Sequence, residues 1–167
     1  MTATYESIAT NTLTSSTGTI SFTSIPATYT DLKVTIRPVG ADGGCRLRFN
    51  GDTGNNYAFC NMYGTGSSAA TSRQINVGRI SLEYNGMNTT VPSYYTADIF
   101  NYAGTVNKKT VLGSASEEFG ATAGYGDANV VVGLWNNTSA ITQVDVWTVG
   151  TAFQAGTRVT IYGIKAE

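Results

Sequence analysis

The chain has 167 residues, a formal net charge of -1 and only 13% charged side chains. That length suits one domain able to bury a core without staples, and that charge gives no field strong enough to hold nucleic acid through its phosphates. Gly, Thr, Ser and Asn crowd the chain, no window shows the apolar i, i+3, i+4, i+7 spacing of an amphipathic helix, and no apolar run could cross a bilayer as a helix. The expectation is a single all-β domain made in a cytosol, with neither nucleic acid nor membrane as partner.

In chain order, the first seventeen residues are rich in Thr, Ser and Asn and hold Tyr5, Ile8 and Leu13 as their large apolar anchors. Such a segment reads as a frayed end or as an N-terminal arm that adds a strand to a neighbour's sheet edge. Thr19 to Phe22 is the first strand. DLKVTIRPV follows, in which Leu32, Val34 and Ile36 alternate with Lys33, Thr35 and Arg37, the period of two that a half-buried strand requires. Further strands are expected over Cys45 to Asn50, Asn56 to Tyr63, Arg79 to Tyr84, Tyr94 to Tyr102, Lys109 to Ser114, Ala128 to Trp135, Thr142 to Val149 and Arg158 to Ile164. Pro26, Pro38 and Pro92 stand at the borders of these runs, where a missing amide donor costs little. The set is enough for two packed sheets.

The GDTG turn between Cys45 to Asn50 and Asn56 to Tyr63 reads as a hairpin. If Asn50 pairs with Asn55, the register sets Cys45 opposite Cys60; a reducing compartment favours free thiols over a bridge. The same loop, Asn50 to Asn56, offers the oxygens of Asn50, Asp52 and Asn55 to a hard cation, but one carboxylate is little charge for calcium, and these are also the residues that turns demand. No metal or other cofactor is expected. Arg46 and Arg48 share the outward face of one strand, available to acidic groups on a partner or simply solvated. Towards the C-terminus, Val144 and Val146 oppose Trp147 and Val149, and Val159 and Ile161 oppose Tyr162 and Ile164. Apolar groups on both faces imply either a second subunit or a loop folded over the sheet.

Catalytic chemistry finds little purchase. The chain has no histidine, which removes the commonest general base and every Ser-His-Asp or Cys-His arrangement. Glu117 and Glu118 are the only adjacent carboxylates, and neighbours on a strand point to opposite faces, a poor start for glycoside hydrolysis. The Gly-rich stretches at Gly64 to Ser68 and Gly120 to Gly126 lead into no helix and so form no phosphate loop. The Asn-x-Ser/Thr triplets at Asn88, Asn136 and Asn137 have nothing to direct them to a glycosylating compartment. Ten tyrosines with Trp135 and Trp147 would suit a carbohydrate-binding face, but the β-branched neighbours of both tryptophans favour core.

The opening TATYESIATNTLTSSTGTISFTSIPATYTDL, the segment RFNGDTGNNY and the ending TIYGIKAE resemble a family of small virion structural proteins of tailed bacteriophages, especially those of cyanobacteria and marine bacteria. The resemblance covers both ends and the first turn; Ser67 to Asn129 is less characteristic. It implies a β-sandwich of jelly-roll type that decorates the capsid exterior or belongs to a tail or fibre assembly, and it carries over no catalytic residue. The leading expectation is therefore a capsid cement or decoration protein, trimeric, bridging major capsid protein subunits. The alternative is a tail or fibre module that recognises a host-surface glycan. Tyr5, Ile8 and Leu13 of the arm, with Asp52 and Asn55 in the exposed loop, are the candidate partner-binding residues.

Overall fold

The computed structural model describes residues 5–40, 43–64, 68–83, 93–117 and 128–165. They form an all-β sandwich of two antiparallel sheets, with strands β1 (Tyr5–Thr12), β2 (Thr19–Phe22), β3 (Asp31–Arg37), β4 (Arg46–Phe49), β5 (Tyr57–Gly64), β6 (Ala69–Val77), β7 (Ile80–Ser81), β8 (Ser93–Phe100), β9 (Lys109–Glu117), β10 (Ala128–Trp135), β11 (Val144–Trp147) and β12 (Arg158–Ile164). The broad sheet has eight strands in the order β1-β12-β3-β8-β9-β10-β5-β6, and the narrow sheet four in the order β2-β11-β4-β7.

The chain crosses between layers in a jelly-roll manner: β2 narrow, β3 broad, β4 narrow, β5 and β6 broad, β7 narrow, β8 to β10 broad, β11 narrow, β12 broad. A three-stranded meander, β8 to β10, occupies the place of one strand in the simplest jelly roll. β12 and β1 widen the sheet beyond β3.

Period-two patterning drives this arrangement. Leu32, Val34 and Ile36 of β3, Tyr95, Ala97 and Ile99 of β8, and Leu47 and Phe49 of β4 all point inward and are buried, while their neighbours in sequence point out. Ile20, Val144, Val146 and Ile80 close the core from the narrow side. The layers approach closely at Gly133 of β10, where a Cβ would lie 2.8 Å from two carbons of Ile80, so a side chain there would push the sheets apart.

From Tyr5 onward the first segment neither frays nor projects as an arm. β1 pairs along β12 from Tyr5 opposite Ile164 to Thr12 opposite Arg158, and Leu13 exchanges backbone hydrogen bonds with Thr157 and Gly156. Glu6 accepts from Lys165 at 2.8 Å and from the Tyr29 hydroxyl at 3.0 Å. β1 is thereby paired along one side within its own chain, so β12 supplies the strand pairing that a neighbour would otherwise have supplied.

The GDTG segment is a second departure. β4 belongs to the narrow sheet and β5 to the broad one, so the turn is an arch between layers and no hairpin forms. Cys45 lies in the core and Cys60 is exposed on the outside of the broad sheet, and neither is in a disulfide. β6 was not foreseen at all, and the run expected from Arg79 contracts to the two residues of β7. Tyr84, Asn88, Pro92, Glu118 and Gly120 to Gly126 lie outside the described residues.

Candidate binding surfaces

The arch is built for internal support. Asn50 and Gly51 take positive φ values of 52° and 66°, and the Asn50 amide oxygen accepts from the backbone of Thr142 at 2.9 Å and Gln143 at 3.1 Å. Asp52 accepts from the Trp135 indole at 2.8 Å, the Asn56 amide at 3.0 Å and the Gly54 backbone at 2.8 Å. Burial pushes the Asp52 carboxyl up, but these donors outweigh it and hold its pKa below the ordinary value. The Asn50 and Asp52 oxygens that sequence offered to a cation accept internal hydrogen bonds, and no group of three or more His, Cys, Asp or Glu side chains among the described residues could hold a metal. Beneath the arch, Phe49, Tyr57 and Trp135 pack with ring centroids 5.7 to 6.3 Å apart, and the buried Tyr57 hydroxyl accepts from the Phe49 amide at 3.0 Å.

Of the five candidate partner residues, Ile8 and Leu13 pack against the core and Asp52 is an internal acceptor, which leaves Tyr5 and Asn55 as exposed side chains. They do not converge: Tyr5 begins the edge strand β1, and Asn55 sits in the arch.

Exposed apolar side chains gather instead on the outer face of β9, β10, β5 and β6. Across those strands Leu112 stands beside Val132, Val132 beside Cys60 and Cys60 beside Arg73; one row along run Ser114, Val130, Met62 and Thr71; on the other side run Thr110, Leu134, Ala58 and Ile75. Exposure reaches 59% at Met62, 57% at Ile75 and at Val132, and 42% at Val130 and Leu112. Scattered apolar residues on a surface need no account, but a contiguous block in register across four strands is a candidate interaction surface. Within the three rows Arg73 is the one charged side chain.

The outer face of β8, β3, β12 and β1 has the opposite character. Thr10, Thr160, Thr35, Thr96 and Ser114 form one row of hydroxyls, with Thr10 to Thr160 at 3.0 Å and Thr96 to Ser114 at 2.8 Å. Lys33 and Asp98 form an ion pair at 2.9 Å in the adjoining row. On the other side Arg37 and Arg158 stand directly opposite one another, and with Thr35, Tyr94, Thr160 and Tyr162 they line a concavity of about 220 Å³.

The narrow sheet carries a third cluster. Arg48 stacks over the Trp147 ring at 4.1 Å and Arg46 at 5.3 Å, so Trp147 faces outward beneath two guanidiniums while Trp135 lies in the core. Burial, then repulsion from Arg79, lowers the Arg46 pKa. The Nε and Nη1 of Arg46, the Nε of Arg79 and the Nε1 of Trp147 are shut from solvent without an acceptor. Asp145 and Glu83 are the nearby acids: Asp145 faces Arg48 across the strands, and Glu83 accepts from the Cys45 amide at 3.0 Å.

Neither the protein-family models nor the curated proteins compared with the chain give a match.

Proposed function

We propose that this protein is a non-enzymatic structural component of a tailed-phage virion, a cement protein that attaches to the outer capsid surface and bridges major capsid protein subunits. The observation that carries the reading is the apolar block Leu112, Val130, Val132, Cys60, Met62 and Ile75, carried by four paired strands and left exposed. A rigid apolar surface on a sheet loses little conformational entropy when it docks, which favours a protein lattice as its occupant. The sequence resemblance to phage virion proteins is the reason for taking that lattice to be a capsid. Binding only to the assembled shell would stabilise the shell by linkage, and a trimer would add avidity.

The test is co-sedimentation with expanded shells that lack the protein, with unexpanded shells as comparison. Saturable pelleting at a fixed ratio to the capsid protein is the expected result. Failure to pellet with either shell would remove the capsid assignment and leave the second reading, a tail or fibre module for a host-surface glycan, for which the concavity between Arg37 and Arg158 provides a place.

A further inference from the structure

Arg37 on β3 and Arg158 on β12 are cross-strand partners, the position at which two side chains on one face approach most closely. Like charges placed there repel, and folding alone gives no reason to set two guanidiniums side by side. Among the described residues the ion pairs are Lys33 with Asp98 and Lys165 with Glu6, so neither arginine has a carboxylate to offset the other. Both arginines line the same concavity of about 220 Å³, whose remaining walls are Tyr94, Tyr162, Thr35 and Thr160, with no acidic side chain among them.

We propose that this concavity binds the carboxylate of an acidic sugar residue within a polysaccharide. Two planar guanidiniums offer paired N–H donors that match a carboxylate, and an anion between them turns the like-charge repulsion into attraction. The phenols supply apolar faces with polar tips for a sugar ring, and the threonine hydroxyls donate or accept as the ring hydroxyls require. That combination distinguishes a saccharide from a bare anion, which would use only the arginines. The volume is below that of a drug-sized pocket and fits one sugar unit. This site lies on strands other than those of the apolar block and gives the glycan-recognition reading its ligand class; it stands whether or not the protein docks on a shell.

The test is isothermal titration of the purified protein at low salt with trigalacturonate, neutral trigalactose, sodium sulfate and a tetraglutamate peptide. Trigalacturonate is expected to bind saturably and more tightly than the other three, with R37Q/R158Q weakening it by about tenfold or more. A thermal melt of R158Q alone keeps the result interpretable: relief of repulsion predicts a Tm raised by about 1–3 °C, so binding is lost while stability is gained. Absence of saturable trigalacturonate binding, or equal binding of neutral trigalactose, overturns the proposal. Tetraglutamate binding as tightly as trigalacturonate overturns it in favour of a protein carboxylate, and sulfate doing so reduces the site to a simple anion site. A lowered Tm in R158Q makes the pair structural and overturns it as well.

Discussion

On the outer face of the broad sheet, β1, β12, β3 and β8 present threonines, an ion pair, tyrosines and two opposed arginines, whereas β9, β10, β5 and β6 present Leu112, Val130, Val132, Cys60, Met62 and Ile75. Inward, the two halves are alike: Leu32, Val34 and Ile36 serve one, and Phe59, Val111 and Val131 the other. The fold needs only the inward positions to be apolar, so the outward ones are free to differ. Their difference is where function is to be sought, with protein docking proposed for one half and an acidic saccharide for the other.

The largest effects should come from the shared inward face and should not distinguish the halves. Phe59→Ala is expected to cost about 3–5 kcal/mol and Ile36→Ala about 2–5 kcal/mol, measured by denaturant unfolding, because each leaves a cavity in a close-packed core. A cost below 1 kcal/mol at one of them would mean that its half is not truly layered. Next, charge placed on the apolar block by V132E/M62E should reduce shell attachment at least about tenfold, roughly 1.4 kcal/mol, while T35E on the polar half leaves it unchanged. Stability should move little in both variants, since the substituted positions face outward.

A smaller and pH-dependent effect separates the arch from both halves. Burial holds the Tyr57 phenol well above the ordinary tyrosine value of about 10, so above that pH the unfolded chain gives up a proton that the folded chain keeps. Stability from this group is full below pH ~10 and declines as the pH rises further. Tyr57→Phe should flatten part of that alkaline decline in unfolding midpoints taken from pH 8 to 11, with buried Tyr102, shifted the same way by burial, contributing to what remains. Smallest of all, K33M/D98N should cost no more than about 1 kcal/mol and lose even that at high salt, because the pair is partly solvated.

Legibility in the sequence followed the same division. DLKVTIR alternates cleanly, and β3 lies where the alternation puts it, as do Ala128 to Trp135 and Arg158 to Ile164. In ANVVVGLW, however, Val130, Val131 and Val132 are all apolar, and only the structure shows Val131 as core and its neighbours as surface. That run was the available signal for the apolar block. β1 and β6 were missed because neither contributes a fully buried side chain, and pairing with a neighbouring strand is all that makes each a strand. Asn50 and Gly51 correctly announced a turn, but a local turn does not say whether the chain returns to the same sheet or crosses to the other. The opposition of Arg37 and Arg158 had no signal of its own, since register between distant strands decides it.

The most direct test of the docking assignment uses Cys60, which is exposed in the middle of the apolar block, with buried Cys45 as internal control. Maleimide labelling, followed residue by residue by mass spectrometry, would compare the free protein with protein bound to expanded shells. Docking through this block predicts rapid modification of Cys60 in the free protein, strong protection on the shell, and little reaction of Cys45 in either state. Cys60 that remains as reactive on the shell as in solution would contradict it.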